Sequence, residues 1–148
     1  MGQKVNPIGL RVGINRGWAS RWYANPKNYA DLLHEDIQIR KFINTSIVEG
    51  AISLIEIERT NGRTEINIHS AKPGVVIGRQ GTGIEKLRQD LEKKFGKKFH
   101  VNIIEIKKPD LEAAVVAENI CSQISRRINY RRACKMSLKK AIEGGARG

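Results

Sequence analysis

Between residues 29 and 106 the hydrophobic positions switch repeatedly between helical and strand-like spacing, and each switch predicts an element. A helix is predicted from about Tyr29 to Ile47. Two alternating runs, Ala51 to Glu58 and Thr64 to His69, read as strands, joined by Thr60-Asn61-Gly62-Arg63, in which Asn-Gly is a strong short hairpin signal. The stretch from Ala71 to Leu87 holds two short apolar segments separated by Gly78-Arg79-Gln80-Gly81. Downstream, Ile84, Leu87, Leu91 and Phe95 recur at i, i+3, i+7 and i+11, the single buried stripe of a helix. Phe99 to Ile106 alternates with mostly β-branched residues and reads as a third strand. The predicted order is therefore helix, strand, strand, helix, helix, strand, an α+β domain.

The flanks have different patterns. Residues 1–27 contain Pro7, Gly9, Gly13, Gly17 and Pro26, which preclude a continuous helix and predict an extended arm. Lys107-Lys108-Pro109-Asp110 separates the third strand from the C-terminal segment. Ala113, Val116, Ala117, Ile120, Ile124 and Ile128 then form one apolar helical face, with acids at its start and Arg126 and Arg127 at its end, as the helix dipole prefers. A further helix, roughly Asn129 to Ile142, groups Cys134, Leu138, Ala141 and Ile142 on one side. The organisation expected is an arm over 1–27, the α+β domain over 28–108, and the helical start of an incomplete C-terminal domain over 109–148.

The turn at Gly78-Arg79-Gln80-Gly81 carries the most specific chemistry. Gly78 and Gly81 lack a Cβ, so the chain can turn tightly and a sugar-phosphate strand can lie against bare main chain. Arg79 supplies positive charge, and the next helix points its N-terminus at the same place. Gly-x-x-Gly alone is common; here the surrounding elements decide. The arrangement resembles the GXXG clamp of a K-homology domain, and the predicted order of elements resembles that of its second topological type.

Charge adds a second argument. The formal net charge is +12, and the excess sits at the two ends. Residues 1–27 carry Lys4, Arg11, Arg16, Arg21 and Lys27 and no acid, whereas residues 28–125 are neutral overall. Residues 126–148 hold eight cations against Glu143. A polyanion is the expected partner. On the last helix Arg132, Lys135 and Lys139 fall at i, i+3 and i+7, with Arg131 four residues before Lys135, a stripe about 12 Å long. Within the arm, Trp18, Trp22 and Tyr23 interrupt the cations; they can stack on unpaired bases or pin the arm to the folded core.

Other chemistries find little support. Cys121 and Cys134 form no Cys-x-x-Cys pair and are expected to be buried thiols. His34, His69 and His100 are scattered without ligand spacing, so no metal site or cofactor is expected. No phosphate-loop motif occurs. The apolar stretches fall far short of the ~20 residues a bilayer helix needs, and Asn6 stands where N-myristoylation wants Ser or Thr.

Several motifs together resemble the bacterial-type small-subunit ribosomal protein S three family. They are the opening Met1-Gly-Gln-Lys-Val-Asn-Pro-Ile-Gly-Leu-Arg-Val-Gly13, Trp18-Ala-Ser-Arg-Trp22-Tyr23-Ala24, Lys72-Pro-Gly-Val-Val-Ile-Gly-Arg-Gln-Gly81, Glu85-Lys-Leu-Arg88 and Arg131-Arg-Ala-Cys-Lys135. The resemblance runs from Met1 to Gly148. It implies a non-enzymatic structural protein in the head of the small subunit, bound to ribosomal RNA and to neighbours S ten and S fourteen. It also implies that Arg131, Arg132 and Lys135 meet incoming messenger RNA where it enters the subunit and assist its unwinding. The expected location is a ribosome of the cytoplasm, or of an organelle's matrix or stroma. Family members ordinarily continue beyond Gly145-Ala-Arg-Gly148 with strands that complete the second domain, which leaves Ile120, Ile124, Leu138 and Ile142 in need of cover. The pair Arg79-Gln80 stands where relatives often carry lysines, which weakens the phosphate attraction expected of the loop.

Two rival readings are a free K-homology regulator of single-stranded messenger and a nuclease built on Glu56 and Glu58. The acid-free arm disfavours the first, since a stand-alone regulator needs no such segment. The two glutamates sit at i, i+2 on a strand, where the solvent side of a hairpin explains them.

Overall fold

The structure is a computed structural model describing residues 2–47, 50–60 and 62–147. Helix α1 (Pro7–Arg11) and strand β1 (Ser20–Arg21) come first, and after them α2 (Pro26–Ser46), β2 (Ile52–Thr60) and β3 (Arg63–Ser70). Then come α3 (Pro73–Ile77), a 3-10 turn over Arg79–Gly81, α4 (Thr82–Phe95) and β4 (Phe99–Glu105). A second 3-10 turn, Pro109–Leu111, leads to α5 (Ala113–Ser125) and α6 (Tyr130–Glu143). From α2 to β4 the order is the predicted one, that of a type II K-homology fold. Asn61 of the hairpin signal lies outside the described residues.

The four strands form one sheet in the order β1-β2-β3-β4. The central hairpin β2–β3 is antiparallel, and both outer pairings are parallel. Period-two alternation puts Ile57, Ile66 and Val101 in one cross-strand row and Ile55, Ile68 and Ile103 in the next. Ile39 and Ile43 of α2 and Leu87 and Leu91 of α4 pack on these rows with Phe99 to make the core. Ile84 and Phe95 close its margin, so the stripe read from the sequence is the buried one. Helix α4 stops at Gly96, which takes a left-handed conformation (φ 66°) as its C-cap.

The flanks depart from expectation in four ways. Residues 1–27 are not wholly extended: Asn6 Oδ1 accepts from the Ile8 and Gly9 amides at 2.9 and 3.3 Å and caps α1. Pro26 starts α2 at N1, three residues before the expected boundary. The break near Pro109 does not detach the C-terminal helices, because Val115 of α5 is buried and Ser53 Oγ donates to Glu112 Oε2 at 2.9 Å. Finally, Cys121 and Cys134 are exposed rather than buried. The inward face of the α5–α6 pair runs through Val115 and Ala133, which turns both thiols outward.

Of the apolar face expected on α5, Val116 and Ile120 are half-buried while Ala113, Ala117, Ile124 and Ile128 are exposed. Leu138 and Ile142 of α6 keep 64% and 61% of their surface open. Of the four positions the sequence leaves in need of cover, Ile124, Leu138 and Ile142 are thus exposed and Ile120 is half-buried.

Candidate nucleic-acid interface

The loop between α3 and α4 is built on positive φ. Gly78 (φ 71°, ψ −177°) sits in a region that side chains avoid, and Gly81 (φ 81°, ψ 3°) is left-handed. Gln80 between them is also left-handed (φ 55°, ψ 26°), a strain a non-glycine residue tolerates at a cost. Thr82 Oγ1 donates to the Arg79 carbonyl at 2.9 Å and closes the turn. A residue that sequence reasoning passed over completes it. A Cβ on Gly83 would lie 2.5 Å from the Val76 carbonyl oxygen and 2.9 Å from that of Ile77, so Gly83 is what lets α4 start directly against α3. Its signal was present in the spacing Gly81-Thr82-Gly83 at a helix start. The assembled loop offers main chain without Cβ atoms beside the Arg79 guanidinium and the α4 N-terminus, a geometry suited to a phosphate backbone.

The stripe on α6 is also assembled. Asn129 Oδ1 accepts from the Arg131 amide at 2.9 Å and caps the helix, and Arg131, Arg132, Lys135 and Lys139 then line one shallow groove with Asn129 and Met136. All four cations are exposed. Lys139 lies 3.8 Å from Glu143 on the same helix, an exposed pair of little energetic weight. Arg131 Nε donates to Tyr130 Oη at 3.1 Å. Among the described residues, Arg126, Arg127, Arg131, Arg132, Lys135 and Lys140 enter no ion pair. An external anion or added salt would relieve their mutual repulsion.

The arm residues divide. Arg21 is drawn into the fold: β1 places it opposite Glu58, with Nη1 3.2 Å from Glu58 Oε1 and Nη2 3.9 Å from Glu56 Oε1. Glu56 and Glu58 do share a face, but that face holds the arm instead of open solvent. Arg11 donates to the Pro7 carbonyl at 3.2 Å, closing α1. Lys4, Arg16 and Lys27 are exposed and, among the described residues, in no ion pair.

What anchors the arm is a buried carboxylate that sequence reasoning missed. Asp36 is fully buried on the inner face of α2. Its Oδ2 accepts from Ser20 Oγ at 2.9 Å and from Trp22 Nε1 at 2.8 Å, both on the arm. Its Oδ1 accepts from Arg59 Nη2 at 2.6 Å and Nε at 3.2 Å, on β2. Glu35 extends the network, holding Arg59 Nη1 at 3.3 Å and Lys97 Nζ at 2.8 Å. Trp22 is therefore a pin, one of the two roles open to it from sequence, whereas Trp18 and Tyr23 remain 64% and 89% exposed. Asp36, Ile39 and Ile43 stand at i, i+3 and i+7, so an acid on the apolar stripe was the signal that marked it.

No group of three or more His, Cys, Asp or Glu side chains is placed to hold a metal among the described residues. Nor is any described helix long and apolar enough to cross a membrane.

Comparison with known proteins agrees with this geometry. Residues 38–111 match the family model described as a KH domain. The small ribosomal subunit protein uS3 of Enterococcus faecalis is 54% identical over all 148 residues of this chain, which cover 67% of that relative. The proteins of the same name from Lysinibacillus sphaericus and Pelotomaculum thermopropionicum are 55% and 53% identical, again over the whole chain, with 68% and 64% of each relative covered. The chain thus spans about two thirds of the length of these relatives. With a KH fold whose core and loop are in place, and with identity above half along its whole length, the chain belongs to the small ribosomal subunit protein uS3 family.

Proposed function

We propose that this ribosomal protein of the small subunit grips single-stranded messenger RNA with the α6 stripe, at the point where messenger enters the subunit, while its arm and GXXG loop hold ribosomal RNA. The family makes the chain a structural, RNA-binding component of translation. The finer roles rest on one observation: Arg131, Arg132, Lys135 and Lys139 project from a single groove on a helix whose cations, Lys139 apart, have no acidic partner among the described residues. Such a surface attracts an unpaired backbone, and by holding that form it favours strand separation while translocation supplies the work. Lys4, Arg16 and Lys27 form the arm's free contact set; Arg11 and Arg21 shape the arm from within.

Docking on the subunit head beside proteins S ten and S fourteen belongs to the same reading, as does residence on cytoplasmic ribosomes or those of an organelle. The organisation proposed is an arm over 1–27, a KH unit over 28–108 and a helical C-terminal start over 109–148, with the last two joined through Val115 and Glu112. Sedimentation of cell extract tests residence: the chain is expected in the small-subunit fraction at high salt, and release at moderate salt would favour the free regulator. Arg131→Ala with Arg132→Ala and Lys135→Ala is expected to slow passage through a stable messenger hairpin while leaving subunit assembly intact. Unchanged passage would overturn the stripe's role.

A further inference from the structure

The arm does not lie flat on the domain. Between it, α2 and the β2 edge runs an open groove of about 1090 Å³, whose apolar lining includes Ile8, Trp18, Trp22, Tyr29, Leu33 and Leu54. Trp22 and Tyr29 meet at 5.4 Å between ring centroids with a 47° tilt, leaving Tyr29 about half exposed and Trp18 more so. Arg16 and Asn6 also line the groove. Its acid, Glu56, is offset by Arg21 at 3.9 Å and lies 3.6 Å from His69.

We propose that this groove takes an unstacked nucleobase of a folded RNA, stacked on the aromatic side chains that line it, Trp18 and Tyr29 above all, with its phosphate toward Arg16. The proposal rests on the reading of the arm as RNA-binding and names what the arm recognises. An apolar groove by itself would accept many occupants. Here it is bordered by an acid-free arm whose Lys4, Arg16 and Lys27 are exposed and, among the described residues, in no ion pair, with Arg16 in the groove lining itself, so an anionic partner is favoured over an apolar peptide. Aromatic rings open on one face accept a base only after it has left its own stack. A fully paired duplex offers none, so the groove discriminates irregular RNA from regular helix. Asp36 makes this possible by fixing Trp22 and Ser20, which hold the groove's arm side in place.

Both tryptophans of the chain line the groove, so tryptophan emission, excited selectively over tyrosine, reports on it. The test uses the whole chain and two fluorescein-labelled RNA hairpins, one with a single unpaired adenosine and one with that nucleotide deleted. Affinity is read by anisotropy and groove occupancy by tryptophan quenching. The expected result is about tenfold tighter binding of the hairpin with the unpaired base, the scale of one base–aromatic stack, with quenching only by that RNA. Trp18→Ala should abolish the difference and Trp18→Phe should keep most of it, both leaving the paired hairpin's affinity unchanged. Equal, salt-sensitive binding of the two hairpins would overturn the groove and leave the arm's reading standing. Binding of neither would overturn both. Quenching by an apolar peptide and by neither RNA would give the groove to a protein and overturn the proposal as well.

Discussion

Replacing Asp36 by asparagine keeps the volume of the side chain and removes its charge. In the native protein this carboxylate accepts four hydrogen bonds, two from the arm and two from Arg59, and Arg59 is itself largely buried. Breaking a buried ion pair from one side costs about 3–5 kcal/mol, mostly because the other charge is left without compensation. Two features reduce that figure. Glu35 remains 3.3 Å from Arg59, and the asparagine oxygen still accepts one or more of the bonds. A loss of about 2–3 kcal/mol is expected. With a urea m value of about 1–3 kcal/mol/M, the midpoint should fall by about 0.7–3 M. The measurement is urea unfolding of the whole chain, monitored by far-ultraviolet circular dichroism and by tryptophan emission. Because Ser20 and Trp22 lie on the arm and Arg59 on β2, the variant's tryptophan transition should precede its dichroism transition. A stability change below about 0.5 kcal/mol, the range of ordinary surface substitutions, would refute the assignment of Asp36 as the arm's anchor.

Gly83→Ala drives a methyl into the Val76 and Ile77 carbonyls, and is expected to destabilise by about 1–3 kcal/mol and to displace the α3–α4 loop, measured by thermal melting. Gln80→Gly relieves a left-handed residue and should gain up to about 1 kcal/mol in the same melt; a fall in stability would refute the strain assigned to Gln80. Both Cys121 and Cys134 should react with an aromatic disulfide reagent in the native protein; protection of either until unfolding would contradict their exposure.

The long periodic segments were legible because local pattern and tertiary burial agree in them. The stripe Ile84, Leu87, Leu91, Phe95 names the inner face of α4, and alternation in Thr64 to His69 names the inner face of β3. Strand β1 carries no comparable signal. Two residues cannot show a period, and Ser20–Arg21 is a strand only because Ile57 and Glu58 lie alongside and Ala19 O accepts from the Ile57 amide at 3.0 Å. The exposure of Cys134 was missed for a related reason: helical spacing groups it with Leu138 and Ile142, but the packed side of α6 is the one bearing Ala133. In the site, glycine spacing revealed the loop and cation spacing revealed the stripe. Helical spacing alone puts Asp36 on the buried stripe of α2, but the partners that satisfy it come from the arm and from β2, which no local window contains.

The parallel pairing of Ser20 and Arg21 with Ile57 and Glu58 also sets an order of events during synthesis. Chains emerge N-terminus first, and segments settle once their partners have appeared. The arm is made before its acceptors Asp36 and Glu58, and before Arg59 that steadies Asp36, which emerge after it one by one. Until residue 59 is free, a polycation with exposed tryptophans has no intramolecular berth. For that interval the arm's cations and rings are open to any polyanion nearby. The same contacts that later shape the arm therefore end a vulnerable phase of biogenesis.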